Sequence, residues 1–423
     1  MYNHSPRHKH LIETYLRDNQ PTFTSFAFNA SSYLRTVRGQ EVKDCAFEFT
    51  DKYATEFQYH GHPIAVSSIK AMVEGHLVSF QQELERRLFF GEPVPLNMFP
   101  DIKLENIVDD NACSNPGYSF LSDARNGFAK YGDRYGRWLF ARPGMLERFI
   151  YPNTSVWKTD ELMEWLREFH YLQEMLAVGL LISGGPSCRA TEFGSLILRN
   201  SYESPRSVRM SFKALTLVNL HDKTSHQRGV DRYIPHVPTR EWADQVIKFL
   251  VTIRPFAEFA IVTIFGRDSP EDKSYQSYLW PKLNKHLSGD AMNEQLSSVT
   301  LEYLGQEYSV LWWRNGVTFM ANVFAPNNMF NTQVDTFVDI ATMHTTSSAI
   351  ARYGGYANGI PGTDPRMMCG VMLSCIAFQQ FVKIGQKRPL YLGSAKDDQP
   401  APPTGGPASE SSRFLPSIQT DFL

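Results

Sequence analysis

Apolar residues in the stretch SSIKAMVEGHLVSFQQELERRLFF (67–90) recur at Ile69, Met72, Val73, Leu77 and Phe80. That spacing predicts a helix burying one face. A longer run, ELMEWLREFHYLQEMLAVGLLI, puts Leu162, Trp165, Leu166, Phe169 and Leu172 on one stripe behind early acidic residues, which suits a helix start. It stops at SGGPS, where glycine and proline end helices. The period then changes. SVRMSFKALTLVNLH (207–221), the polar turn DKTSHQRG and a returning VDRYIPHVP predict a β-hairpin. Residues 239–384 read as mostly helical, with LWWRNG opening one helix. MMCGVMLSCIAFQQFVKI (367–384) reads as a buried helix rather than a membrane span, because Gly, Ser and paired Gln interrupt a run of marginal length. Ahead of all this, 21–155 reads as short helices joined by loops, including a helical stretch at 121–150. The fold class expected is mainly α with a small β-hairpin or sheet (α+β).

A chain of 423 residues exceeds one ordinary core, so two domains are the default expectation. The linker-like YPNTSVWKTD (151–160) divides a helical domain, 21–155, from a second domain, 156–387. A polar, frayed N-terminus (1–20) and a Pro/Gly/Ser tail (388–423), too poor in apolar residues to fold, complete the division.

The net charge of -2 withholds the pointer to nucleic acid that a strongly basic total would give, but it permits a local basic face. In 121–150, Arg125, Lys130, Arg134, Arg137, Arg142 and Arg148 outnumber Asp123, Asp133 and Glu147. A solvated helix face and a surface that grips a phosphate backbone both fit. A second concentration, Arg199, Arg206, Arg209, Lys213, Lys223, Arg228, Arg232 and Arg240, follows in 199–240. The cysteines are five in number and lack C-x-x-C spacing, as expected of reduced thiols inside a cell rather than a disulfide or zinc framework. The opening MYNHSPRHKH lacks the apolar run of a secretory signal. His60 and His62 in YHGHP have no third ligand near them, so a turn is expected there and no metal. SGGPS lacks the G-K-[ST] ending of a nucleotide loop. No cofactor is expected.

Chemistry concentrates in four pieces in order. CRATEF carries Arg189 and Glu192 spaced R-x-x-E, and the hairpin turn offers Lys223. LWWRNG carries Arg314, and HTTSSAIARY carries His344 with Tyr353 nine residues on. These residue types suit phosphodiester cleavage. A tyrosine oxygen can attack phosphorus and keep the bond energy as a phosphotyrosine ester. Planar, always-charged arginines can clamp the non-bridging oxygens. A lysine can protonate the leaving hydroxyl, and a carboxylate near an arginine can orient it. Lys213 competes with Lys223 as the hairpin lysine, and Tyr356 competes with Tyr353.

In this order and spacing the residues resemble the tyrosine recombinase (phage integrase-like) family over about 160–385. GGPSCRATEFGSL and WWRNG are similar to its divergent eukaryotic branch, the fungal Crypton-type mobile elements and recombinase-like regions beside RecQ-type helicases. The resemblance implies Arg189 and Arg314 as the two phosphate clamps, Glu192 as the orienter of Arg189 and Lys223 as general acid. It implies His344 as a phosphate-binding or general acid/base histidine, and Tyr353 as nucleophile. It further implies double-stranded DNA as partner, gripped between the two halves of the chain by Arg125, Lys130, Arg134, Arg137, Arg206, Arg209, Lys213 and Arg228. Action as a homo-oligomer, a tetramer on DNA, and a nuclear location follow from the same resemblance, with no membrane involved. Two departures stand out. Leu311 occupies the position three before Arg314 where many relatives have histidine, and the interval from Arg314 to His344 is long. They keep open a second reading, a DNA-binding protein descended from such an enzyme that no longer cuts.

Overall fold

The computed structural model describes residues 47–219, 234–324 and 365–385. A small antiparallel sheet comes first: β1 (Phe47–Phe49), β2 (Glu56–Tyr59) and β3 (His62–Ala65) in that spatial order. It replaces the expected helices at this point. His60 and Gly61 both take positive φ between β2 and β3, the left-handed pair a two-residue hairpin requires. YHGHP is therefore a turn, as its composition indicated. Among the described residues no group of His, Cys, Asp or Glu is placed to hold a metal ion.

Helix α1 (Val66–Leu88) follows the expected stripe, burying Ile69, Met72, Val73, Phe80, Leu84 and Leu88. The 121–150 stretch is not one helix. Gly127 and Gly144 take positive φ and split it into 3-10 turns (Ala124–Asn126, Phe128–Tyr131) and short helices α2 (Arg134–Ala141) and α3 (Met145–Phe149). Helix α4 (Thr159–Ser183) begins with Asp160 and Glu161 at its positive end and becomes buried all round towards its C-terminus. It is the central rod of the core.

The division at 155 does not separate two cores. Apolar residues from Phe57 to Ile384 form one continuous cluster, and the described residues fall in one compact unit. The reason is visible at α1, whose stripe packs along α4 instead of closing on its own half. His76 of α1 sets Nε2 2.9 Å from the Met175 carbonyl of α4. Burial lowers the His76 pKa to about 4, so the ring donates as neutral imidazole. The Tyr135 hydroxyl donates to Leu88 O and accepts from Trp165 Nε1, each at 2.8 Å. YPNTS is a turn inside this unit, closed by a bridge between Ile150 and Trp157.

After the short helix α5 (Ala190–Gly194) comes a second sheet of β4 (Val208–Ser211), β5 (Ala214–Asn219) and β6 (Ile234–His236), antiparallel in that order. One hairpin was expected, yet SVRMSFKALTLVNLH folds back on itself. Phe212 and Lys213 carry φ of 50° and 60° at the β4–β5 turn, without the Asn or Gly that normally marks it.

The remainder is largely helical, as the pattern predicted: α6 (Arg240–Lys248), a π-helical turn (Phe249–Ile253), α7 (Arg254–Phe265) and α8 (Pro270–Ser277). A two-residue hairpin, β7 (Pro281–Lys282) and β8 (Lys285–His286), leads to α9 (Gly289–Leu304), α10 (Val310–Phe324) and α11 (Pro365–Val382). Among the described residues no helix is long and apolar enough to cross a membrane. The first sheet braces α10 through rings. Phe47 and Phe49 stack on Phe319, and Trp312 stacks on Tyr308 at 3.9 Å.

Candidate functional site

Arg189 is the N-cap of α5, with extended backbone, rather than a residue on a helix face. Glu192, one turn on, reaches back to it. Its Oε2 accepts the Arg189 backbone N–H at 2.9 Å and its Oε1 accepts Arg189 Nη1 at 2.6 Å. The carboxylate therefore caps the helix and aims the guanidinium at once. Arg189 keeps a third of its side chain exposed, whereas Glu192 is nearly covered. α5 is itself pressed against the segment after β8. A Cβ at Gly194 would lie 2.2 Å from the Leu287 carbonyl oxygen, and backbone cannot swing aside. Gly194→Ala is thus expected to cost about 1–3 kcal/mol through overpacking, measurable as a lowered denaturant midpoint. An unchanged midpoint would remove this contact as the determinant of α5 placement.

Arg314 arrives from α10 and is buried. Its Nε donates to the Ser187 carbonyl at 3.2 Å, a contact between residues 127 apart in sequence. Burial, above all, lowers its pKa from the ordinary guanidinium value. The Arg189 charge pushes the same way, and Glu192 opposes. An arginine remains protonated through such a shift. Arg189, Glu192 and Arg314 thus share one electrostatic neighbourhood around Cys188, whose buried thiol is pushed far up in pKa and stays neutral. Leu311 is exposed on α10, three residues before Arg314.

The turn between α4 and α5 holds this pair, and side chains from other elements hold the turn. His236 at the end of β6 lies 2.8 Å from both Leu180 O and Pro186 O, one at each ring nitrogen. Trp313 Nε1 donates to Gly185 O at 3.3 Å. The Gln379 amide of α11 donates to Ser183 O at 3.2 Å and to Val237 O at 2.9 Å. Glycine is required for this approach, since a Cβ at Gly184 would stand 2.2 Å from His236 Nε2. A small cavity lined by Pro186, Cys188, Phe193, Leu196, Leu217 and His236 lies alongside. Sequence reasoning missed His236, Trp313 and Gln379. Their partners are backbone carbonyls, which leave no mark in sequence.

The basic faces come out differently from expectation. Arg206 is wholly buried, paired with a wholly buried Asp109 at 2.7 Å and bonded to Asp110 O at 2.8 Å. Arg209 is buried as well, donating to Arg206 O and Asn111 O, each at 3.1 Å. Neither can present its charge to DNA. Both are spent fastening the 109–113 loop along the outer edge of β4, where Asp109 Oδ2 also accepts the Met210 N–H at 2.8 Å. Elsewhere carboxylates answer the cations. Arg125 pairs with Asp123 at 2.6 Å and Arg137 with Asp133 at 2.5 Å. Arg142 pairs with Glu92, Arg148 with Glu161 and Arg199 with Glu258. Lys130 and Arg134 lie over the Tyr131 ring. Lys213 is exposed at the β4–β5 turn. Lys223, Arg228, His344, Tyr353 and the competing Tyr356 lie outside the described residues.

No protein-family model, no curated protein and no solved structure matches the chain.

Proposed function

We propose that the chain is a DNA breaking-and-rejoining enzyme, a site-specific recombinase or mobile-element integrase, acting through a 3′-phosphotyrosine intermediate. One observation carries the reading: Arg314 bonds the carbonyl two residues before Arg189, so arginines far apart in sequence meet at one turn. Two fixed cations with a carboxylate orienting one of them are what a phosphodiester in its five-coordinate transition state requires. In this reading the Tyr353 oxygen attacks phosphorus and the phosphorus–O5′ bond breaks. Lys223 delivers the proton to the departing 5′-oxygen, and a 5′-hydroxyl of the partner strand later reverses the steps. His344 contacts the phosphate or exchanges a proton.

A second reading, a DNA-binding protein that no longer cuts, draws support from Leu311. An exposed leucine beside Arg314 brings no hydrogen bond to a phosphate. The test is a nicked suicide duplex made from the DNA flanking the protein's own locus, scored for an adduct that survives denaturant. Wild type and Tyr356→Phe are expected to form it. Tyr353→Phe, which lacks only the oxygen that makes the ester, is expected to bind the duplex and form none. An adduct that persists in Tyr353→Phe would remove that tyrosine from the mechanism. Wild type that binds without any adduct would favour the second reading.

A further inference from the structure

We propose that His236 is a positioning residue for the Arg189–Arg314 pair, tying the Pro186 carbonyl of the Gly184–Ser187 turn to the Leu180 carbonyl of α4, and that both contacts are hydrogen bonds only when the ring is doubly protonated. The inference rests on the reading of the two arginines as phosphate ligands.

A neutral imidazole has one N–H and one bare lone pair, whereas the cation has two N–H groups. Both ring nitrogens of His236 face carbonyl oxygens at 2.8 Å, so only the cation satisfies both contacts. In the neutral ring one contact sets lone pair against lone pair. Leu180 O is also among the last carbonyls of α4, where it accepts the Gly184 N–H at 3.3 Å. The negative end of a long helix favours a cation there.

Burial opposes it. Desolvation lowers the His236 pKa below the ordinary histidine value, and the bonds to Leu180 and Pro186 only partly restore it. At neutral pH the ring is therefore mostly neutral, and of its two 2.8 Å contacts one is a hydrogen bond while the other faces a bare lone pair. The other described groups packed on the ring are uncharged. Phe193 of α5 meets it edge-on at 5.6 Å. Leu180 and Gly184 face it from the α4 end, and neutral Cys188 and Asn219 of β5 line the adjoining cavity with it. No described carboxylate or cation is among them.

The turn is where the proton is felt. Pro186 O goes to His236 and the next carbonyl, Ser187 O, goes to Arg314. Arg189 follows two residues later. Fixing Pro186 from the sheet side therefore fixes the carbonyl that holds Arg314 and the chain leading into the Arg189 N-cap. A phosphate that needs both arginines in place favours the turn held by both bonds. Proton and phosphate must then raise each other's affinity, because linkage is reciprocal.

Titration calorimetry of the full chain with duplex DNA at pH 6.5, in two buffers of different ionisation enthalpy, measures this coupling. Wild type is expected to take up a fraction of a proton on binding, and His236→Gln to take up measurably less. The affinity gap between them should be about tenfold at pH 6, the worth of one charge-assisted bond, and should shrink towards pH 8. A purely structural role would give a gap independent of pH. Ring 15N shifts of wild-type His236 supply a measurement that needs no variant. Both nitrogens are expected at protonated values in the DNA complex at pH 6.5, and one in the free protein. Proton uptake equal in wild type and His236→Gln, or a ring whose shifts do not change on binding, would overturn the inference. Arg189→Ala that binds DNA as wild type does would overturn the phosphate-site reading. In that case a pH titration of the free ring, followed with the Gly185 and Ser187 amides, still tests whether the second proton fastens the turn.

Discussion

Asp109→Ala is expected to lower the stability of the folded chain by about 3–5 kcal/mol, because it leaves a buried cation without its partner. Arg206 is enclosed completely and has Asp109 as its carboxylate at 2.7 Å. The substitution also removes the acceptor of the Met210 N–H and loosens the 109–113 loop from the edge of β4. The effect should appear as a fall in denaturant midpoint with an unchanged slope. Arg206→Met combined with Asp109→Leu should recover much of the loss, since an apolar pair of similar volume needs no counter-charge. Single Arg206→Met should leave the salt dependence of duplex binding as in wild type, because a buried guanidinium releases no counterions from DNA. A fall under about 1 kcal/mol for Asp109→Ala would mean that the pair is solvated in solution and that Arg206 is available to a ligand after all.

The same pair shows where sequence reading stops. Charge counts along the chain are legible, but the partners of charges are not. Asp109 lies 97 residues before Arg206, and no periodicity joins them. The basic excess of 121–150 likewise dissolves into pairs such as Arg142–Glu92 and Arg148–Glu161, whose acids come from other segments. The long helices were legible because a single rule, burial of one stripe or of a whole apolar run, governs α1, α4 and α11. The β4–β5 turn was not, because Phe212 and Lys213 adopt left-handed backbone that the rest of the sheet imposes on them. The 155 boundary failed for a related reason. Proline, asparagine and serine mark a turn equally well inside a core and between cores, and only the packing of α1 on α4 distinguishes the two. At the site, the R-x-x-E spacing foretold the Arg189–Glu192 contact but not that Arg189 is an N-cap. The residues that grip the Gly184–Ser187 turn had no signature to find.

Arg314→Lys is expected to slow formation of the covalent DNA adduct by about 10²–10³-fold, the range for losing one fixed donor to a transition-state oxyanion. Lysine keeps the charge, so the test separates charge from geometry. A guanidinium can use Nε on Ser187 O, as Arg314 does at 3.2 Å, and still present two parallel N–H groups to a phosphate. A single ammonium cannot do both. Folding should change little in comparison, because lysine keeps the charge and an aliphatic stem, and the loss of the Nε bond to Ser187 O costs about 1 kcal/mol. Arg189→Lys should behave alike, losing the paired contact with Glu192 that aims it. The double variant should be less impaired than the product of the singles, since residues that act on one phosphate as a unit are not additive. Single-turnover adduct assays at saturating protein isolate the chemical step from binding. If Arg314→Lys forms adduct at the wild-type rate with its stability intact, Arg314 is a structural pin for the Ser187 turn and not a ligand of the reacting phosphate. The clamp would then have to be sought around Arg189 and residues of 220–233 or 325–364 instead.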